Sequence, residues 1–280
     1  MNKIYLCLVV ATCMLASNIV FAAEKLILGV HPFVAKEMVV MKFTPLAKYL
    51  SKKTGFDIEV RVGSSYDEHI QYIGKNKVDI AYMGPASYVN MRSAYSEKPV
   101  LARLEVNGDA FFQGNIVVHK NSGINNIDQL KGKRIAFGDP NSTMSYIVPH
   151  HMLHNAGVFL DKMAKHQFLY SHNNVALGVL SGDFDAGAVK PAVFKKFEKE
   201  GLLTIAKTPK ISEHLFITRS NLEKEKIKAL RKAMIEISGS EAGMKALRVI
   251  KKSITGLVAA EGNDYDNLRK IISESEELHK

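Results

Sequence analysis

Residues 138–149, "GDPNSTMSYIVP", follow a short apolar run and precede a segment with helical spacing. A Gly-Asp-Pro-Asn turn and two adjacent hydroxyls, Ser142 and Thr143, therefore stand where a helix begins. Ser or Asn at such a position commonly caps the helix by accepting a backbone hydrogen bond. The N–H groups of a helix start also attract anions, and hydroxyl donors beside them suit a tetrahedral oxyanion. The residues alone are compatible with capping and with anion binding.

Outward from this stretch, strand-like runs alternate with segments of helical spacing. Runs such as "FDIEVRV" and "KRIAFG" predict strands. A helix is predicted at residues 39–53, and its apolar face consists of Phe43, Leu46, Ala47 and Leu50. This alternation predicts an α/β fold built from mostly parallel sheets flanked by helices.

The alternation occurs in two successive modules, which predicts two lobes joined by a hinge. We expect residues 23–113 to form the first part of lobe 1 and residues 114–213 to form lobe 2. Residues 214–280 return to lobe 1, and from residue 222 onward the pattern predicts helices only. A cleft between two lobes is a usual place for a small ligand.

Composition limits the kind of partner. The chain has 280 residues, 46% of them apolar, which is enough for a sizeable core. Its formal net charge of +10 suits nucleic acid, an anionic membrane or a small anionic ligand. The lysines are spread along the chain without a basic block, an Arg-rich helix or a zinc-knuckle spacing. We therefore expect a small anion and no nucleic acid.

The first residues have the pattern of an export signal. Lys3 precedes a mostly apolar run, and a small-residue cleavage pattern ends at Ala22. We expect residues 1–22 to be removed and the mature protein to lie in the periplasm. An uncleaved anchor is one alternative, and acylation at Cys13 is another, although Thr12 before that cysteine fits a lipoprotein poorly.

Catalytic and metal sites have weaker support in the sequence. Both cysteines, Cys7 and Cys13, lie in the predicted signal, so thiol catalysis and cysteine-based zinc sites are not expected. His150 and His154 are four residues apart and could share a metal, but no glutamate completes an H-E-x-x-H motif. No G-x-S-x-G motif or matched acid–base pair is present either. We therefore expect no enzyme, no cofactor and no metal.

Several segments together resemble one known family. The stretch "GDPNSTMSYIVP" is similar to the D-P-x-S-T-S-G-Y-x-x-P segment of the phosphate-, phosphite- and phosphonate-binding periplasmic proteins of ABC transporters. "TPLAKYLSKKTG", "VDIAYMGPASYV" and "SHNNVALGVLSGDFDAGAV" resemble further family segments, in the same order. "ISEHLFITRSNL" looks like the family's return strand to the first lobe. The resemblance spans nearly the whole chain after residue 22.

The resemblance implies a type II periplasmic-binding fold whose lobes close over the ligand. Hydroxyls and N–H groups at the helix start would hold the oxyanion, opposite a loop of the first lobe, with a histidine assisting. The positions that match in this sequence are Ser142, Thr143, Ser145, Tyr82, Gly84, Ser87 and His172. His31, at the end of the first strand, also faces the expected cleft, whereas we assign Asp139 to the turn.

Two departures from the family pattern concern specificity. Met144 stands where the family has a third small hydroxyl, so it offers only a backbone N–H. Relatives that take aminoalkylphosphonates use acidic side chains for the amine, but the matching stretches here are His172-Asn173-Asn174 and Val189-Lys190-Pro191. An unpaired ammonium would be costly beside such neutral and basic residues. The expected ligands are phosphate, phosphite or a small phosphonate with a neutral tail, and Lys190 is either solvated or part of the site.

The resemblance also implies partners. A binding protein of this type, expected to be a monomer, delivers its ligand to an ABC permease in the inner membrane. The same fold can instead present its ligand to a sensor kinase or bind another small anion. The sequence leaves these alternatives open.

Overall fold

The computed structural model describes residues 23–277. The predicted export signal, residues 1–22, with both cysteines, lies outside the described residues. The strands are β1 (Lys25–Val30), β2 (Asp57–Val62), β3 (Ile80–Met83), β4 (Val100–Val106), β5 (Phe111–Phe112), β6 (Asn115–His119), β7 (Arg134–Phe137), β8 (Lys165–Phe168), β9 (Ala186–Val189), β10 (Leu202–Lys207), β11 (Ile211–Ser212), β12 (Leu215–Thr218) and β13 (Ile254–Val258). The α-helices are α1 (Lys36–Thr54), α2 (Tyr66–Gly74), α3 (Pro85–Tyr95), α4 (Val148–Asn155), α5 (His172–Leu180), α6 (Pro191–Phe197), α7 (Lys224–Ile235), α8 (Glu241–Ile250) and α9 (Asp266–Glu277).

Two sheets form the centres of two lobes. The first has the strand order β13-β4-β12-β3-β1-β2, and the second has the order β10-β6-β9-β7-β8. This confirms the predicted two-lobed α/β class. Both sheets are mixed rather than mostly parallel, because β6, β12 and β13 run against their neighbours. Two of these strands, β6 and β12, directly follow the points where the chain crosses from one sheet to the other. The chain enters each sheet there from the opposite side, so these strands run antiparallel to their neighbours.

The two crossings between the sheets lie side by side. The short strands β5 and β11, one from each crossing, pair antiparallel in a ribbon. Such paired connections are the natural pivot of a two-lobed molecule. The lobe boundaries at residues 113/114 and 213/214 stay predictions, although the strands before and after them belong to different sheets.

The first lobe is held together by the predicted apolar face of α1. Phe43, Leu46 and Leu50 are fully buried among the residues of the first sheet, and burial of each such side chain stabilises the fold by about 1.5–3 kcal/mol. The helix ends at Gly55, which takes a left-handed conformation (φ 79°) and donates its N–H to the Ser51 carbonyl. The predicted helix at residues 39–53 is thus confirmed, with three more residues at its start and one more at its end.

The helix after the decisive turn differs from the prediction. Residues Thr143–Ile147 form a π-helical turn, in which Ile147 N–H donates to Ser142 O, before α4 begins. Pro149 has no N–H to donate to the Ser145 carbonyl, and that oxygen accepts the N–H of Gly138 instead. Only glycine fits at 138, because a Cβ there would lie 2.6 Å from the Ser145 hydroxyl. The hydrogen bond between Gly138 and Ser145 therefore holds the π-helical turn against the end of β7.

The C-terminal part contains a strand that the sequence analysis missed. Residues from 222 onward were expected to be helical, yet β13 pairs antiparallel with β4 at the edge of the first sheet. Its short "ITGLV" run lies between α8 and α9 and completes the sheet rather than extending a helix. Across residues 23–277 no helix combines the length and the apolar character that crossing a membrane requires.

Candidate functional site

A cavity of about 270 Å³ lies between the two lobes. It is lined by the ends of first-lobe strands, by the π-helical turn of the second lobe and by residues beside the ribbon. Among the residues predicted for the site, those on its wall are Tyr82, Gly84, Ser142, Thr143, Met144, His172 and Lys190. Ser145 and Ser87 do not line it.

Ser142 caps the turn and also lies on the cavity wall. Its hydroxyl oxygen accepts the N–H of Ser145 at 3.3 Å, so it caps the π-helical turn. The same oxygen lies 3.4 Å from Nε2 of His172 on the cavity wall. Because the oxygen already accepts a backbone N–H, the hydroxyl proton is available to a ligand.

His172 opens α5, and its geometry fixes its tautomer. Ser171, not His172, caps this helix, by accepting the N–H of Asn174. The backbone N–H of Lys190 donates to His172 Nδ1 at 3.1 Å, which leaves the neutral ring with its proton on Nε2. Burial, with the nearby charges of Lys190 and His214, holds the pKa of His172 well below its usual value. His172 is therefore a neutral donor facing Ser142.

Thr143 joins the two lobes. Its hydroxyl oxygen accepts the N–H of Ala86, at the start of α3 in the first lobe, at 2.9 Å. Asn141 adds two more bonds across the cleft, donating to Asp67 and accepting from Asn90. The two lobes are therefore in contact across the cleft. The start of the π-helical turn forms part of the cavity wall and also bonds to the first lobe.

The other hydroxyls predicted for the site have different positions. Ser145 is fully buried behind the wall, where its hydroxyl donates to the Ala188 carbonyl of β9 at 2.5 Å. Ser87, in the first turn of α3, is also buried, and its hydroxyl has no hydrogen-bond partner among the described residues. Met144 does reach the cavity, and its sulfur accepts the hydroxyl of Thr208.

Aromatic and imidazole rings of the first lobe form the opposite wall. The rings of His31, Tyr82 and His214 form a cluster: the Tyr82 ring centre lies 5.5 Å from that of His31 and 5.4 Å from that of His214, and the two histidine ring centres lie 6.0 Å apart. The Tyr82 carbonyl accepts from His31 Nδ1 at 3.3 Å and from His69 Nε2 at 3.0 Å. Burial keeps the pKa of His31 well below its usual value and lowers that of His69 to about 4. Both rings are therefore neutral near pH 7.

Sequence reasoning included His31 and Tyr82 but missed His214. A usable signal existed, since His214 directly precedes the predicted return strand "LFIT", now β12. Strands β1, β3 and β12 are neighbours in the sheet, and Tyr82 is paired with both Val30 and Phe216. The residue after β1 and the residue before β12 therefore meet beside Tyr82.

Charged side chains line another part of the cavity. Lys190 places its ammonium 5.4 Å from the ring centre of Phe33, across the cleft. Lys42, Lys251 and Glu213, none of them predicted, also reach the wall. Burial, followed by the charges of its neighbours, lowers the pKa of Lys190 to about 8. Lys190 is therefore part of the wall rather than a solvated surface lysine.

The two histidines of the metal hypothesis pack against different rings. His150 stacks on Tyr146 at 5.2 Å, and His154 lies edge-on to Phe159 at 4.9 Å. Across residues 23–277, no group of three or more His, Cys, Asp or Glu side chains is arranged to hold a metal ion. Asp139 acts within the turn, as expected, by accepting the N–H of Asn141.

Comparison with known proteins identifies the family. Residues 28–265 match the family model of periplasmic substrate-binding proteins of phosphonate ABC transporters. A probable ABC transporter phosphite-binding protein of Prochlorococcus marinus is 24% identical and is matched over 91% of both chains. A phosphate-import protein of Mycolicibacterium smegmatis is 26% identical, over 82% of this chain and 79% of that one.

A solved structure shows the same fold. The Prochlorococcus marinus protein in complex with methylphosphonate superposes with a TM-score of 0.81 at 23% identity, covering 90% of this chain and 98% of that chain. The family match spans most of the described residues, and its members are transport components rather than enzymes. The chain belongs to the family of periplasmic substrate-binding proteins of phosphonate ABC transporters.

Proposed function

We propose that this protein, exported and monomeric, captures a phosphorus oxyanion between its lobes and delivers it to an ABC permease. The ligand is phosphate, phosphite or a small phosphonate. The observation that carries the proposal is the pair of hydroxyl donors on the second-lobe wall, those of Ser142 and Thr143, with the Nε2–H of His172 directed at the Ser142 oxygen beside them.

The donors are prepared for an acceptor-only ligand. Each hydroxyl oxygen already accepts a backbone N–H, from Ser145 or from Ala86, so each proton can point to the ligand. The start of the π-helical turn adds the partial positive charge of its N–H groups. An oxyanion with three oxygens matches such a set better than a neutral or cationic molecule does.

Binding and closure involve the same residues. Thr143 bonds to the first lobe at Ala86, and Asn141 bonds to Asn90, so ligand contacts and lobe contacts lie on one turn. A ligand that contacts both walls favours the closed form by its extra contacts there. Closure is then the change that a permease can recognise. The relatives' phosphite, phosphate and methylphosphonate ligands support the same class.

The test is thermal unfolding of the protein without residues 1–22, refolded to remove bound ligand. Phosphate, phosphite, methylphosphonate and sulfate are added separately. A ligand at a hundred times its dissociation constant stabilises the folded state by about 2.7 kcal/mol, which raises the midpoint by several degrees. We expect a rise with at least one phosphorus anion. A rise with sulfate alone, or with none of them, would refute the proposal.

A further inference from the structure

The cavity has a second end, away from the hydroxyl donors. There Lys251 Nζ lies 3.7 Å from Glu213 Oε1, and Glu213 Oε2 accepts from His214 Nδ1 at 2.9 Å. Lys42 Nζ donates to the carbonyls of Val249 and Ile250, at the end of α8, at 3.2 Å each. This end therefore presents ammonium groups, whereas the other end presents neutral donors.

The charges at this end do not balance. Among the residues that line the cavity, Lys42, Lys190 and Lys251 face a single carboxylate, that of Glu213. Lys190 has no carboxylate within ion-pair distance among the described residues, and Lys42 keeps one of its three hydrogens after the two carbonyl bonds. Glu213 Oε2 accepts from His214, whereas its Oε1 is buried, accepts no hydrogen bond among the described residues and lies 3.7 Å from Lys251 Nζ. An excess of positive charge thus remains beside Lys190.

The space extends beyond a phosphoryl group. A cavity needs a volume of only about 10–15 Å³ to hold one water molecule. The volume here is about 270 Å³, so the cavity has room for a tail as well as for the three oxygens of the phosphoryl group. Phe33 and Ile250 provide apolar surface along the cavity wall. Lys42 and Lys251 also line an adjoining outer groove, where further cations include Lys245 and Arg248. Lysines and arginine outnumber carboxylates along the path of a tail that leaves the hydroxyl end, where the carboxylates are Glu213 in the cavity and Glu241 in the outer groove.

We propose that the ligand carries a second anionic group, a carboxylate on a short carbon tail, bound by Lys251 and Lys42 with Lys190 between the two ends. The ligand class is then a phosphonocarboxylate. This inference rests on the proposed function, because it places the phosphoryl group at Ser142 and Thr143. An ammonium tail would meet the positive charge of three lysines, while the one carboxylate, that of Glu213, is buried beside His214 and Lys251. A neutral tail would leave the excess positive charge of the three lysines without a counter-charge.

Titration calorimetry with three probes tests the inference: methylphosphonate, phosphonoacetate and 2-aminoethylphosphonate. We expect phosphonoacetate to bind at least roughly tenfold more tightly than methylphosphonate, since a hydrogen bond to a charged group is strong. We expect 2-aminoethylphosphonate to bind most weakly. Equal or weaker binding of phosphonoacetate would overturn the inference, even where methylphosphonate binding upholds the proposed function. Binding of none of the three would overturn the inference, and the proposed function would then stand or fall with the binding of phosphate and phosphite.

Variants locate the effect. In Lys251→Met, the ratio of the methylphosphonate and phosphonoacetate dissociation constants should fall towards one. Because this change leaves the buried Glu213 with only His214, the double variant Glu213→Gln/Lys251→Met is measured beside it. Lys228→Met removes the same charge from an exposed position on α7 and should keep the wild-type ratio. An unchanged ratio in the Lys251 variants would refute the assignment of the tail to this end.

Discussion

The two walls of the cavity are built in different ways. The second-lobe wall is polar, and its two hydroxyls are consecutive residues, Ser142 and Thr143, on one turn. The first-lobe wall is a cluster of three rings, those of His31, Tyr82 and His214, which are far apart in the sequence. The polar wall offers donors, whereas the ring wall offers shape and excludes water.

The difference shows which parts of a site depend on local and on long-range structure. A turn positions adjacent hydroxyls by itself, since the Gly138 N–H and the Ser145 carbonyl fasten it to β7. The ring cluster exists only once β1, β3 and β12 have paired. We therefore expect changes in the polar wall to affect ligand affinity first and changes in the ring wall to affect stability first.

The largest effect should follow from Ser142→Ala combined with Thr143→Ala. Two hydroxyl donors to a charged ligand are lost, at about 1.5–3 kcal/mol each, so the dissociation constant should rise by roughly 10²–10⁴-fold. Calorimetry with whichever phosphorus anion binds the wild type measures the change. Normal affinity in the double variant would show that the helix start is not the anion site.

Ser145→Ala is the matched control for this variant. It removes a hydroxyl from the same turn, but that hydroxyl donates to Ala188 behind the wall. We expect a lower unfolding midpoint, because the Ala188 carbonyl loses its partner, and an affinity close to that of the wild type. A loss of affinity as large as in the double variant would mean that the turn acts through its shape rather than through its donors.

The contrast between local and long-range structure also explains which features the sequence could predict. The alternation of strands and helices, the buried face of α1 and the adjacent hydroxyls are short-range patterns, and they predicted the fold class and the polar wall. The orientation of Ser145 and Ser87 depends on which face of a helix meets the cavity, and the family motif does not specify it. Ser145 lies behind the wall because the π-helical turn rotates it towards β9.

The sequence analysis also did not predict features that depend on contacts between distant parts of the chain. Glu213 and Lys251 lie far apart in the sequence and meet only where the chain crosses back to the first lobe and α8 ends. Strand β13 was missed because its short run follows two helical segments, and its pairing partner β4 lies about 150 residues earlier. No local spacing encodes such contacts, so the charged end of the cavity needed the structure.

The ring wall is tested by Tyr82→Leu, for which we expect a smaller effect on binding than on stability. Tyr82 is buried against Phe43 and Phe216 as well as beside the two histidines. Replacing it leaves a partly filled space, which should lower the unfolding free energy by about 1–3 kcal/mol. Denaturant unfolding measures this change, and calorimetry should show a loss of affinity of roughly tenfold or less.

Tyr82→Phe provides the control, because it keeps the ring and removes only the hydroxyl. We expect its stability to remain close to that of the wild type. If Tyr82→Phe weakened binding as strongly as Tyr82→Leu, the first-lobe wall would contribute a hydrogen bond and the contrast between the walls would fail.

Lys190 links the two walls, and its effect should be the most specific, because it depends on pH. Its pKa is about 8 in the folded protein, lowered by burial and then by Lys251, against a usual value of 10.5. Between these values the unfolded chain binds more protons than the folded one, so the unfolding free energy of the ligand-free protein should rise with pH. The cost of burying the ammonium is fully present below pH 8 and is relieved above it.

Ligand affinity should change in the opposite direction over the same range. A bound anion favours the ammonium and raises its pKa, so above pH 8 the complex takes up a proton that the free protein lacks. Affinity for phosphite, which is already a dianion there, should then fall by at most about tenfold per pH unit. In Lys190→Met both trends should disappear. If stability rises and affinity falls with pH in the wild type, and neither changes with pH in Lys190→Met, both effects come from this one residue. A general loss of structure at high pH would instead lower stability and affinity together.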